Sequence, residues 1–129
     1  MLFRSDALLD RVGIAAVADR RVELLPTGTA RLVEVARALA TGPKVLLLDE
    51  PSSGLDEAET DALGRLLHEL AASGLGVLLV EHDMPLVMEN CSHIAVLDFG
   101  RVIASGPPSA IQSDPAVQRA YLGEARPTR

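Results

Sequence analysis

Two short aliphatic runs, Val45-Leu46-Leu47-Leu48 and Val77-Leu78-Leu79-Val80, constrain the fold of this chain more than any other feature. Neither alternates apolar with polar residues. An unbroken apolar run of this length reads as a strand covered on both faces, the pattern of a parallel sheet. A helix pattern lies between them: Leu63, Leu66, Leu67 and Leu70 fall at i, i+3, i+4 and i+7. It follows Asp56 and ends at Gly74, with Glu57, Glu59 and Asp61 loading its start with the negative charge that suits a helix dipole. Upstream, Leu32, Val35, Ala36 and Leu39 repeat the spacing, and Gly42-Pro43 terminates the helix. Strand, helix and strand in this order predict an α/β fold with a largely parallel sheet.

The flanks extend the pattern. A short helix is expected over 6–12, with Leu8, Leu9 and Val12 on one side. Leu25-Pro26-Thr27-Gly28 breaks the chain before the next helix. A helix over 85–90 leads to a third strand, Ile94-Ala95-Val96-Leu97. Phe99-Gly100 then turns into Arg101-Val102-Ile103-Ala104 as a hairpin partner. Two short helices follow, the last capped by Asp114 with Pro115 at its first position, and expected to bury Val117 and Tyr121.

With 129 residues the chain is one domain at most, and 48% apolar residues support a packed core rather than a disordered tail. Aromatic residues are only 2% (Phe3, Phe99 and Tyr121), so the core is aliphatic and no ring platform exists for stacking bases. A net charge of −6 argues in the same direction, against a phosphate-tracking surface, and no nucleic-acid partner is expected. Cys91 stands alone and reads as a small core residue in a reducing compartment, without disulfide or CxxC metal pair. No apolar run approaches the ~20 residues that span a bilayer. Any membrane link is expected to come through a partner.

Ligands in open α/β sheets bind beyond the carboxyl ends of the strands. Asp49, Glu50 and Pro51 follow the first run, and Glu81, His82 and Asp83 follow the second. Adjacent carboxylates at a strand end point to opposite sides, so one can hold a metal while the other faces a reacting water. Oxygen donors with few nitrogen or sulfur ligands suit Mg²⁺. A neighbouring histidine can donate to a phosphate or a developing oxyanion. The plain alternative is that Asp49 and Glu50 merely cap a loop, and the pair taken alone leaves both readings open. His68 lies off the leucine stripe and reads as a surface residue, and His93 as a strand-boundary residue. His82-Asp83 has no nucleophile elbow beside it, and the three histidines lack a zinc-ligand spacing.

Taken together, the segments resemble a known family. Val45-Leu46-Leu47-Leu48-Asp49-Glu50-Pro51 is similar to the Walker B segment of ATP-binding-cassette (ABC) ATPases. Ser53-Gly54-Leu55-Asp56 resembles their D-loop, and His82 their switch histidine. Leu25-Pro26-Thr27-Gly28-Thr29, running into the helix through Leu39, resembles their signature motif. Glu81-His82-Asp83-Met84, and Asp114-Pro115-Ala116-Val117 leading to Ala120-Tyr121-Leu122-Gly123-Glu124, look like the ATPase subunits of branched-chain amino acid importers.

The resemblance implies a P-loop NTPase-like core with part of the helical signature subdomain, and with ATP and Mg²⁺ as cofactors. Asp49 would help hold Mg²⁺, Glu50 would be the general base, and His82 would contact the γ-phosphate. Leu25, Pro26, Thr27, Gly28 and Thr29 would bind the γ-phosphate of ATP held by a second ATPase subunit. Ser53, Gly54 and Asp56 would line the same dimer interface. Pro26 replaces the usual serine, and Thr27 a usual glycine. Thr27 can supply a hydroxyl or act as helix N-cap, and the sequence leaves both open.

A P-loop requires G-x-x-x-x-G-K-[ST]. The single lysine, Lys44, lies in Gly42-Pro43-Lys44-Val45 and cannot be that lysine. The chain is therefore expected to be the C-terminal part of a longer ATPase, missing the P-loop strand and unable to grip ATP alone. Residues 6–42 would be a partial helical subdomain and 43–129 the C-terminal core. Residues 1–5 are expected to be foreign, since Leu2-Phe3-Arg4-Ser5 can be encoded by the end of a sequencing adapter. The leading functional reading is an importer ATPase subunit on the cytoplasmic face of a bacterial inner membrane, docked on transmembrane permease subunits. The alternatives are a split or degenerate subunit lending signature and D-loop surfaces to a partner, and a non-transport ABC ATPase.

Overall fold

Helix starts and stops are written into the chain by short-range chemistry. The computed structural model describes residues 2–122; Met1 and the Gly123-Glu124 end of the tail motif lie outside the described residues. Contacts divide the chain into two compact units, the first reaching Leu86 and the second beginning at Val87.

In the first unit, α1 covers Leu2–Val12. It begins ahead of Asp6 because no helix breaker stands in between. Two 3-10 turns, Ala15–Val17 and Val22–Leu24, lead to α2, Thr27–Ala40. Strand β1 is Val45–Asp49, α3 is Glu57–Ala72 and β2 is Gly76–Val80. Helix α3 opens with a capping box that the sequence reading missed. The Glu59 amide donates to Asp56 Oδ1 at 2.8 Å, and the Asp56 amide donates to Glu59 Oε2 at 2.9 Å. The signal was present, an Asp followed three residues later by a Glu before an apolar stripe. Every position of both predicted stripes is buried: Leu32, Val35, Ala36 and Leu39 on α2, Leu63, Leu66, Leu67 and Leu70 on α3. They form one cluster with Leu46 and Leu48 of β1 and with Val12 and Ile14.

Strands β1 and β2 pair in parallel, Leu47 opposite Leu78 and Asp49 opposite Val80. The expectation that both strands are covered on two faces is corrected here. Leu46 and Leu48 point into the core, whereas Val45 and Leu47 are 58% and 70% exposed, and Leu78 and Val80 of β2 are 58% and 53% exposed. The helices cover one side of the sheet, and no described residue of this unit buries the other. Apolar strand faces and open strand edges template association. The isolated chain is expected to self-associate, with a mass in sedimentation that rises with concentration. Placing lysine at the paired positions Leu47 and Leu78 should return it to a monomer. A monomeric wild-type chain with a sharp, concentration-independent melt would refute this.

In the second unit, β3 (Ile94–Asp98) and β4 (Arg101–Gly106) form the expected hairpin, antiparallel, with a register shift at Val96/Leu97. Phe99 and Gly100 turn it with φ of 44° and 75°, the paired positive angles of a two-residue hairpin loop. Helix α4, Met84–Asn90, crosses the boundary between the units. Helices α5 (Pro108–Gln112) and α6 (Pro115–Val117) follow, and Gln118–Leu122 forms a turn of π-helical spacing. Asp114 Oδ1 caps α6 by accepting from the amides of Ala116 and Val117 at 2.7 and 3.3 Å. Val117 is fully buried as expected. Tyr121 is not, being 43% exposed, because its hydroxyl reaches out to donate to the Leu97 carbonyl. Cys91 is half-buried, and burial pushes its thiol up, away from nucleophilic use. No helix among the described residues is long and apolar enough to cross a membrane.

Candidate active site at the strand ends

Parallel pairing delivers the chain after β1 and the chain after β2 to the same end of the sheet. The ladder runs one step past the strands, with the Glu50 amide donating to the Val80 carbonyl at 2.8 Å. Glu50 then takes a left-handed φ of 46°. That region is costly for a residue with a Cβ, by roughly 1–2 kcal/mol, and such strain persists only where the surroundings impose it. Its carbonyl accepts from Arg31 Nη1 of α2 at 3.4 Å, so Glu50 is held at both ends of its peptide. Arg31 escaped the sequence reading, and its Nε is buried without a partner.

Across the strands, His82 Nδ1 lies 3.5 Å from Glu50 Oε1. The two side chains are adjacent but too far apart for a well-formed hydrogen bond. Both remain accessible, the histidine 69% and the glutamate 54% exposed, as groups that must meet an incoming substrate would be. Glu81 behaves in the opposite way: its side chain has no exposed surface. Its Oε1 accepts from the Ser52 amide at 2.8 Å, and its Oε2 from the His82 amide at 3.1 Å.

Burial alone would push the Glu81 carboxyl up. Bonds from the Ser52 hydroxyl and amide, and from the His82 and Asp83 amides, outweigh burial and leave it below its ordinary 4.5. The folded chain therefore binds this proton more weakly than the unfolded chain. Glu81's contribution to stability is complete above about pH 4.5 and is lost as pH falls through the lower folded value. Acid unfolding followed by circular dichroism should show this limb in wild type and lose it in Glu81→Gln. Superimposable acid limbs would refute it.

The signature-like segment abuts the D-loop-like segment within the chain. Pro26 is the N-cap of α2 with no side-chain cap bond, so Thr27 is the first helical residue rather than the cap. Gly28 is buried, and a Cβ there would stand 2.5 Å from the Gly54 carbonyl oxygen and 2.9 Å from Leu55 Cδ2. Gly54 has a φ of 83°, open to glycine but not to most residues. Gly28→Ala is expected to destabilise by about 1–3 kcal/mol, because backbone rather than a flexible side chain must move. Urea unfolding checks this, and an unchanged midpoint would contradict the packing. Leu25, Thr29 and Ser53 are half-buried, while Pro26, Thr27, Gly54, Asp49 and Asp56 are exposed. Asp56 Oδ1 is engaged by α3's capping box. His68 is exposed off the leucine stripe, as expected.

Asp49 is the exposed carboxylate at the end of β1. No group of three or more His, Cys, Asp or Glu side chains among the described residues could cage a metal. A lone carboxylate still fits Mg²⁺, which keeps waters and is shared between one or two carboxylates and substrate phosphates.

Two family descriptions match the sequence: "ABC transporter" over residues 3–53, and "Branched-chain amino acid ATP-binding cassette transporter" over residues 101–126. The high-affinity branched-chain amino acid transport ATP-binding protein BraF of Pseudomonas aeruginosa is 43% identical over 118 residues, 91% of this chain and 46% of the relative. LivG of Escherichia coli K12, described in the same words, is 42% identical over 125 residues, 96% of this chain and 49% of the relative. The lipopolysaccharide export system ATP-binding protein LptB of Haemophilus influenzae is 36% identical over 121 residues, 94% of this chain and 50% of its own. Among solved structures, the ADP conformation of MJ1267, an ATP-binding cassette of an ABC transporter, superposes with a TM-score of 0.80 at 31% identity, covering 95% of this chain and 50% of that one. The chain thus spans about half the length of the curated relatives it matches. The chain belongs to the ATP-binding domains of ABC transporters.

Proposed function

We propose that the chain supplies the water-activating and switch groups, and a trans-acting phosphate surface, of an ATPase subunit that drives an ABC transporter. The observation that carries this is the 3.5 Å approach of His82 Nδ1 to Glu50 Oε1 at neighbouring strand ends. In ATP hydrolysis Glu50 accepts a proton from the attacking water. His82 keeps that water, Glu50 and the terminal phosphate in register. Phosphoryl transfer asks mainly for positioning and charge neutralisation, and these groups are of that kind. Bound Mg²⁺ would supply charge neutralisation on the phosphates, with Asp49 holding it through water. The first turn of α2 presents backbone N–H groups with no side-chain cap, which suits an anion held by a second ATPase subunit. Ser53, Gly54 and Asp56 lie along the same interface in this reading. Residues 6–42 then act as the signature-bearing helical part and 43–129 as the catalytic core.

Branched-chain amino acids are the proposed cargo of the whole transporter. The family match at residues 101–126 supports this, as do identities of 42–43% to LivG and BraF against 36% to LptB. Permease subunits would dock the ATPase on the cytoplasmic face of the inner membrane. A second reading, a split subunit that only lends its surface to a partner's nucleotide, is favoured by one observation. Pro26 occupies the α2 N-cap and brings neither the hydroxyl nor the N–H of the serine usual in the signature motif.

The test is to co-express the chain with a P-loop-bearing ATPase subunit and its permeases. ATP turnover in the mixture that Glu50→Gln removes supports the first reading. Turnover indifferent to Glu50→Gln favours the second, and micromolar ATP affinity of the chain alone would overturn both.

A further inference from the structure

Glu50 and His82 sit on different loops and are both largely exposed. Packing of their own side chains therefore does not set their separation. The buried group that ties the two loops together is Glu81. One carboxylate oxygen holds the Ser52 amide in the turn after β1, and the other holds the His82 amide and, at 3.5 Å, the Asp83 amide after β2. Ser52 stands between Glu50 and the Ser53-Gly54-Leu55-Asp56 segment. The Ser53 amide also bonds back to the Glu50 carbonyl at 3.2 Å, so a pull on Ser52 is felt at Glu50. On the far side, Asp83 Oδ1 accepts from the Leu86 amide at 3.0 Å, anchoring the second loop to the start of α4.

We propose that Glu81 is a positioning residue, whose carboxylate clasps the loop after β1 to the loop after β2 and so fixes the spacing of Glu50 and His82. This rests on the reading of that pair as the water-activating and switch groups. A charged clasp suits the task. Each oxygen accepts from amides of a different loop, and charge-assisted bonds to backbone N–H groups are stronger than neutral ones. Replacing Glu81 with glutamine keeps the shape and one acceptor but turns an NH₂ group toward donors on one loop. That loop must then move. Displacements near 1 Å at a reacting centre cost on the order of 100-fold in rate.

The experiment is a double-mutant cycle on the co-assembled transporter, with ATP turnover as the readout. Glu81→Gln is expected to lower kcat by about 10- to 100-fold while KM for ATP moves less than about twofold. Glu81→Ala should fall further, because both acceptors are lost. In a Glu50→Gln background, Glu81→Gln should add little, since a positioning residue acts through the group it positions. Full additivity would overturn the inference, as would an undiminished kcat in Glu81→Gln. If Glu50→Gln itself leaves turnover intact, the reading of the site has failed instead. A loss of kcat that only tracks the folded fraction would reduce Glu81 to a structural residue. Amide hydrogen exchange on the 129-residue chain gives an independent check. The Ser52 and His82 amides should exchange at least about tenfold faster in Glu81→Gln, or in Glu81→Asp if the first variant does not fold. Unchanged exchange at both amides would overturn the clasp.

Discussion

Glu50→Gln is expected to lower ATP turnover of the assembled transporter by about 10²–10⁴-fold, the range that a positioned general base supplies. The amide has the shape of the carboxylate but cannot accept the proton that the attacking water gives up. The loss should fall on kcat with KM for ATP little changed, because a proton in flight exists only in the transition state. Folding should be nearly untouched. The side chain is 54% exposed and the His82 Nδ1 beside it is 3.5 Å away on an exposed ring, so the swap removes no buried contact. Surface substitutions of this type usually stay within about 0.5 kcal/mol. The left-handed backbone is equally strained with either residue. Steady-state turnover and thermal melting on the same preparations check both halves. A variant that keeps more than a tenth of wild-type turnover would mean that another group activates the water.

Leu63→Ala should cost about 2–5 kcal/mol of stability. Leu63 is 1% exposed, on the face of α3 that meets α2 and β1 in the main apolar cluster. It also lines a cleft of about 220 Å³ with Val12, Ile14, Leu32 and Leu66. Truncation would merge the lost side-chain volume with space already present, and surroundings that already leave a gap have little left to collapse. Whole domains are stable by only ~5–15 kcal/mol, so one such loss is a large share. The core here is also one-sided, since the far face of the β1–β2 sheet contributes nothing to it. Urea unfolding should show a lower midpoint at constant slope. Leu24→Ala, at a position 76% exposed and off the β1–β2 face, is the natural contrast and should leave the midpoint where it was. A Leu63→Ala cost below about 1 kcal/mol would contradict this packing.

Much of the first unit was legible because its code is periodic. The α2 and α3 stripes predicted their buried residues position by position, and the Val45 and Val77 runs marked both strands. What the pattern could not reveal is which side of a strand is covered. Leu46 and Leu47 look alike in sequence, yet one is 3% and the other 70% exposed. Cover comes from whatever packs on a face, and a local pattern carries no record of its neighbour. Asp49, Glu50 and His82 were legible as chemistry at strand ends, since parallel pairing and the rule for open sheets bring such groups together. Their supports were not. Glu81 was visible only as one more acid in a cluster, because its partner Ser52 lies on another loop. Arg31 gave no signal either, sitting on a helix and reaching a backbone carbonyl. Tyr121 failed for a different reason: a ring with a hydroxyl follows its hydrogen bond outward rather than its carbon inward.

The φ of 46° at Glu50 sets two selection pressures against each other at a single codon. Glycine is the residue that this backbone prefers, and installing it would release roughly 1–2 kcal/mol of strain. A thermostability screen of random variants would therefore enrich Glu50→Gly. A screen for turnover would discard the same clone. Directed evolution of this chain would have to improve its fold at other positions, because the residue that strains the turn is also the one expected to handle the proton.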